Sequence, residues 1–401
     1  MRRAFLQLLA VLAVFTLFAT ACGDDDESAA ADAEPECVLG RGVSDNEIKL
    51  GSSQPLTGNL AALGEATVFA LNGHVERIND AGGINGRMLS LVIQDDEFMP
   101  EKAVANGQYF IEREKVFAVW GSIGTAPTVA AIEIHDDAEM LTLFPFALNK
   151  DLIDVVAHPL YFSHAPPAYA QTMAWGKWLL EDFRPNEELR IGMMVINSAD
   201  GEQTTAGFEA SIAADSLVDN QTWERDATTY GPQILSFIGN EVTDVYLGTA
   251  DTQYAQFIQE ADQLGLEARF WGSSGAITDN VIALTGDLSE GVFGVGFVES
   301  STADIPGIKG YRELMFGQGA DATHLGTASL IAYLSGLVVE EGLRQAGECL
   351  NNDTFVDAME SITDFDTGGI TQPMTFTSEN HLGNNSVVIF EVQGGAWTRI
   401  N

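Results

Sequence analysis

The sequence predicts an α/β protein of two doubly wound lobes, each built on a parallel-rich sheet and joined to the other by a hinge. Three observations lead there. Short apolar runs alternate with segments of helical period, the order that gives parallel sheets covered on both faces. The alternation breaks near residues 160 to 166 and begins again after "SHAPPAY". The chain, at 401 residues, is also long for one simple core.

The first series opens with the strand "EIKLGSS". The helix after it carries Val68, Leu71, Val75 and Ile78 on one face and stops at "AGG", where glycine takes the left-handed cap. "MLSLVIQDD" is the next strand, and Pro100 opens a helix bearing Val104, Gly107 and Ile111. "VFAVW" and "MLTLF" are short buried strands on either side of the helix "TVAAIEIHDDAEM". The second series begins with a helix whose face is Tyr169, Met173, Gly176 and Leu180, then the strand "RIGMMVI". It runs on through "QTWE", a helix around "PQILSFIG", the strand "DVYLG", a helix with Tyr254, Phe257, Ala261 and Leu264, and the strand "ARFWG". The remainder has helices in "HLGTASLIAYLSGLVVEEGL" and "DTFVDAME", with strands near "PMTF", "SVVIFEV" and "AWTRI". It is too short for a third such domain, so it is expected to complete the first two, the chain crossing between them more than once. No tandem repeat of fixed period is found.

The N-terminus lies outside this pattern. "MRRAFLQLLAVLAVFTLFATAC" has two arginines, an apolar run from Ala4 and small residues before Cys22, which makes residues 1–21 an export signal. "ATAC" resembles the lipobox of bacterial-type lipoproteins, with lipid on Cys22, and "RRAFL" resembles a twin-arginine signal; the general secretory route suits the run equally. Residues 22–46, acidic and without apolar period until Val38, read as a flexible tether. With Cys22 lipidated, Cys37 and Cys349 remain, either as a disulfide fastening the N-terminal arm or as two buried thiols. The formal charge of −39 excludes nucleic acid as a partner, and apolar residues at 46% exclude a disordered chain.

Catalytic motifs are absent. "WGSSGA" lacks the spacing of a nucleophile elbow, no Walker loop occurs, and "GVFGVGF" is not GxGxxG. The six histidines never fall in HxxH or HExxH spacing, there is no CxxC, and "DFDTGG" lacks the twelfth-position glutamate of a calcium loop. No metal, no cofactor and no enzymatic chemistry are therefore expected. An exported α/β protein with small-residue turns at its strand ends is built to close on a small molecule, because ligands of open α/β sheets sit beyond the carboxyl ends of strands.

The segments "PLTG", "INDAGGINGR" and "QDDEFMPEKAVAN", in that order and spacing, resemble the first lobe of the leucine-binding family, the type I solute-binding proteins of ABC importers, and "GTAPT" looks like a branch of it whose ligands are varied. The likeness spans about residues 46 to 401 and thins after the first lobe. It implies a clamshell with three hinge crossings, a lipid anchor on the outer face of the cytoplasmic membrane, and delivery of a small solute to ABC permease subunits by a monomer. A ligand-sensing domain feeding a signalling receptor is the alternative on the same fold. The expected boundaries are 47–164 with 298–371 for one lobe and 165–297 with 372–401 for the other.

The resemblance also implies a ligand set. Thr125 falls where the amino-acid binders hold the ligand carboxylate, and it lies at a helix start, where free N–H groups and the helix dipole favour an anion. Ser122 and Ala126 belong to the same turn. Ala147 matches a position whose carbonyl accepts from the ligand ammonium, while Leu148 stands where threonine is usual and Leu63 where an aromatic is frequent. Ser274 falls near the acidic residue that pairs with the ammonium. Losing that acid argues against a zwitterion, because a buried ammonium without a carboxylate is costly. Asp200 could replace it from another turn. Phe144, Phe146 and Tyr169 near the cleft suit a ligand with an apolar or aromatic body and one carboxylate or amide end.

Overall fold

The computed structural model describes residues 37–58, 60–224, 227–321 and 324–401. Its first sheet comprises β1 (Glu47–Gln54), β2 (Met88–Asp95), β3 (Ala118–Trp120), β4 (Leu141–Leu143) and β5 (Tyr161–Phe162). Their order is β2-β1-β3-β4-β5 and every pairing is parallel. Strands β3, β4 and β5 are buried along their whole length, which is why they read as short unbroken apolar runs rather than as alternating ones. The second sheet holds β6 (Ile191–Ile196), β7 (Leu217–Trp223), β8 (Asp244–Gly248), β9 (Arg269–Gly272), β10 (Phe293–Gly296), β11 (Val388–Gln393) and β12 (Ala396–Arg399), in the order β12-β11-β10-β9-β8-β6-β7. Its first five strands are parallel; β11 and β12 close the edge antiparallel. The two sheets thus use the same winding, although their sequences show no repeat.

The helices cover both faces. Around the first sheet lie α1 (Ala61–Asp80), α2 (Pro100–Tyr109) and α3 (Thr125–Asp137), joined late in the chain by α9 (Pro306–Gly317), α10 (Thr327–Ala346) and α11 (Asn352–Ser361). Around the second lie α4 (Ala168–Trp178), α5 (Ala199–Glu209), α6 (Gly231–Gly239), α7 (Asp251–Leu264) and α8 (Asp279–Thr285). The principal core of the first sheet draws on Ile48 to Ala165 and again on Phe297 to Phe376. The second sheet is sandwiched by two clusters, one around Phe237, Phe257 and Trp397, the other around Trp175, Trp271 and Phe293. The chain therefore passes between the sheets three times: after β5, after β10, and before β11.

Several elements depart from the sequence reading. "PMTF" is not a strand of either sheet. Met374 forms one isolated antiparallel bridge with Phe365, and the apolar side chains of Met374 and Phe376 are consumed by the first core. Helices α5 and α8 and strands β5 and β10 are additional, short or glycine-rich segments; helix α9 is additional too, although Ile308, Tyr311 and Met315 mark its buried face at helical spacing.

Export signal, Cys22 and the early tether lie outside the described residues. Val38 to Asn401 form one compact unit. Within it, residues 38–46, expected as tether, are fastened to the body. Gly40 N donates to Leu350 O at 2.8 Å, Asn351 Nδ2 to Val38 O at 2.9 Å, and the Arg41 guanidinium to Ala138 O at 2.8 Å. These are backbone and guanidinium contacts that leave no apolar periodicity to detect. Cys37 and Cys349 are each disulfide-bonded. Among the described residues no helix is long and apolar enough to cross a membrane, and no group of His, Cys, Asp and Glu is arranged to hold a metal ion.

Candidate functional site

In doubly wound sheets the strand order reverses at a switch point, here between β1 and β3 in one sheet and between β6 and β8 in the other. A cavity of about 440 Å³ lies where the carboxyl ends of both sheets meet. One side is made by turns after β1, β2, β3 and β4, contributing Leu63, Phe98, Gly124 with Thr125, and Phe146 with Leu148. Ends of β6, β7, β8 and β9 make the opposite side, with Ile196, Trp223, Thr249 and Ser274 among others.

The turn before α3 is shaped by its glycine. Gly124 has φ +115°, and a Cβ there would come within 2.6 Å of Phe98 Cε2 and 3.0 Å of Pro127. Backbone pairing continues past β3 and β4, with Phe146 N on Ser122 O at 2.8 Å and Gly124 N on Phe146 O at 3.1 Å. This carries the helix start to the cavity wall. Thr125 is the first residue of α3, and its Oγ1 accepts from Leu148 N at 3.0 Å, so its hydroxyl hydrogen remains to be donated elsewhere. The first turn of α3 contains no acidic residue, whereas α5 has Asp200 and Glu202 and α7 has Asp251 in theirs. Of these three helix starts, only that of α3 keeps its positive end uncompensated by its own carboxylates, a bias of about 0.3–1 kcal/mol toward an anionic group.

Across the cavity, Ser274 is 1% exposed and Thr249 5%. Ser274 Oγ, Thr249 Oγ1 and Gln253 Oε1 are buried without a hydrogen-bond partner. Leaving a buried polar atom unpaired costs about 1–3 kcal/mol, so these three atoms on one wall are available to polar groups of a ligand. The rest of the wall is mostly apolar. Its acidic members are Glu97, ion-paired with Lys102, and Asp200; among the described residues no Lys, Arg or His stands on it.

Of the residues singled out in the sequence, Leu63, Thr125, Phe146, Leu148 and Ser274 come together on this wall, and so does Asp200. Others do not. Ser122 turns its Oγ away to accept from Ser53 N at 3.1 Å, beside the buried Ser53–Asp96 pair and a cleft of only about 20 Å³. Ala126 is half-buried in the first turn of α3, off the wall, and Ala147 packs in a separate cluster with Ile132, Leu152 and Tyr161. Tyr169 belongs to the close contact of α4 with α5, where its carbonyl lies beside Gly207, and Phe144 belongs to the core. Thr249 was within reach of the sequence, because it directly follows the strand "DVYLG". Phe98 was not, since the turn that presents it has φ of +52° at Glu97 and +58° at Phe98, positions that glycine usually holds.

A family model described as periplasmic binding protein matches residues 47–396. A leucine-, isoleucine-, valine-, threonine- and alanine-binding protein of Pseudomonas aeruginosa is 24% identical over 350 residues, covering 86% of this chain and 89% of the relative. Two solved structures share the fold. The fatty acid ABC transporter substrate-binding protein of Thermomonospora curvata has a TM-score of 0.81 at 22% identity, covering 91% of this chain and 94% of its own. A branched-chain amino acid ABC transporter protein of Thermus thermophilus with bound valine has a TM-score of 0.82 at 19% identity, covering 90% and 96%. This chain belongs to the periplasmic binding protein family.

Proposed function

We propose that the protein is an extracytoplasmic solute-binding lipoprotein of an ABC importer, anchored through Cys22, monomeric, and delivering one small organic solute to permease subunits. The observation that carries this reading is the cavity of about 440 Å³ between the carboxyl ends of the two sheets, with Ser274 Oγ and Thr249 Oγ1 unpartnered on its wall. Related proteins that bind branched-chain amino acids or a fatty acid support the solute class. The cavity's use is binding without covalent chemistry, as the related substrate-binding proteins suggest. A carboxylate or amide end rests on the start of α3 at Thr125, and the apolar body lies against Phe146, Phe98 and Trp223. Closing the two sheets on the solute favours the form that docks on a permease.

Mass spectrometry of small molecules released from the purified full chain, with thermal shifts for leucine, benzoate and octanoate, tests this. A solute that co-purifies or raises the melting temperature is expected, with Thr125→Val weakening it about tenfold and Thr125→Ser largely keeping it. The proposal fails if nothing co-purifies and none of these compounds stabilises the protein.

A further inference from the structure

A second cavity, of about 450 Å³, adjoins the first and shares with it Leu60, Leu63, Phe146, Gln253 and Gly275. The two are chambers of one cleft rather than separate sites. Small-molecule pockets range over roughly 300–1,000 Å³, so the first chamber alone suffices for a small solute and the pair is near the upper end. Gly275 stands on the wall of both. That glycine has no positive φ, and a Cβ on it would meet nothing nearer than Thr249 O at 3.6 Å, so neither backbone conformation nor packing requires glycine there. Its missing side chain leaves a passage. Gln253 Oε1, an acceptor without a partner, borders both chambers.

The walls of the chambers differ. The first is mostly apolar. The second sets Asp251, Asp279 and Asn280, with Ala283 about one turn further along α8, against the small residues Ala62 and Ala66 of α1, and no Lys, Arg or His lines it among the described residues. Asp251 already accepts from Thr252 N, from Thr278 Oγ1 at 3.2 Å and from Asn280 Nδ2 at 3.0 Å, which leaves the Asp279 carboxylate, within electrostatic reach of Arg312, and Asn280 Oδ1 as the acceptors this wall offers to a donor.

Resting on the solute-binding reading above, we propose that the cleft takes an elongated solute, longer than a free amino acid. Its apolar unit fills the first chamber, its carboxylate or amide end meets Thr125, and a hydrogen-bond-donating tail passes Gly275 and Gln253 into the second. An amine and a hydroxyl would both supply that donor.

The test measures affinities of the full chain by calorimetry for leucine, N-acetyl-leucine, glycyl-leucine and glycoloyl-leucine. These offer respectively no extension, an extension without a terminal donor, an amine tail and a hydroxyl tail. At least one donor-tailed probe is expected to bind about tenfold tighter than both leucine and N-acetyl-leucine. In Ala283→Phe, which fills the second chamber from an exposed position on α8, the ratio of tailed to untailed affinity is expected to fall to about one. If leucine or N-acetyl-leucine binds and neither donor tail adds affinity, or if Ala283→Phe leaves the ratio intact, the second chamber is no part of the site while solute binding stands. If no probe binds and nothing co-purifies, both readings fall together.

Discussion

Asn384 donates its side-chain amide to the carbonyl of Phe297 at 3.0 Å. The same nitrogen reaches His164 O at 3.3 Å, and its Oδ1 accepts from Ser386 N and Ser386 Oγ. His164, Phe297 and Asn384 lie on the three separate passages of chain between the sheets, so one 3%-exposed side chain ties all three. Replacing Asn384 with Ala leaves two buried carbonyls without their donor and is expected to cost about 2–3 kcal/mol. Asn384→Asp sets a carboxylate oxygen against both carbonyls and is expected to cost more. Urea denaturation measures both, and an Asp variant as stable as the wild type would remove Asn384 from this role.

Ser274 offers a test in which stability and binding move in opposite directions. Its Oγ is buried and unpartnered, so Ser274→Ala removes an unsatisfied group and is expected to leave stability unchanged or slightly higher. If a solute pairs with that hydroxyl, affinity falls about five- to tenfold in the same variant. Parallel thermal melts and titrations separate the two effects. A variant that binds as tightly as the wild type would show that the hydroxyl does not meet the solute.

The turn at Gly124 is the most constrained part of the wall. Gly124→Ala combines a φ of +115° with a Cβ 2.6 Å from Phe98 Cε2, and it is expected to destabilise by about 1–3 kcal/mol while weakening solute binding. Phe98→Ala in the same chain relieves the clash but not the backbone strain, so only part of the loss should return. A full return would assign the whole effect to the ring.

How much of this was legible in the sequence depends on what each feature rests upon. Strands such as β6 and β8 announce themselves because burial on both faces demands apolar runs, and the α3 start at Thr125 because a small-residue turn separates strand from helix. The shared winding of the two sheets was less visible, since it lies in pairing order rather than in residue type. Within the site, Leu148 and Ser274 come from the family resemblance alone, and Thr125 from that resemblance together with its place at a helix start. Ser122 belongs to the same turn as Thr125, yet it faces the other way, because its side chain is taken by Ser53 N, a contact between residues 69 apart in the chain. Trp223 at the end of β7, not singled out in the sequence, belongs to both the core and the cavity wall, its indole donating to Gly248 O at 3.2 Å.

His164 makes the passages between the sheets sensitive to pH. It is fully buried, its Nε2 donates to Ile331 O at 3.1 Å, and its Nδ1 has no partner, which fits a neutral ring protonated on Nε2. Burial holds its pKa down to about 4, from an ordinary 6.5, against a smaller upward pull from the Ile331 carbonyl. Between those two values the unfolded chain carries a proton on this ring that the folded chain does not. The unfolded state therefore gains as pH falls: the folded state has its full advantage above pH 6.5 and loses it progressively down to about 4. The loss from this one residue reaches on the order of 3 kcal/mol, at about 1.4 kcal/mol per pH unit. His74 and His135, held down to about 3 and about 4, act in the same direction in any variant and so cancel from a comparison. His164→Gln keeps a donor for Ile331 O but cannot titrate. Its unfolding free energy, measured in urea from pH 7 to pH 4.5, is expected to fall less steeply than that of the wild type by about 1.4 kcal/mol per pH unit below 6.5. Parallel slopes for the two proteins would mean that His164 is protonated in the folded state after all, and that the passage it occupies opens to water.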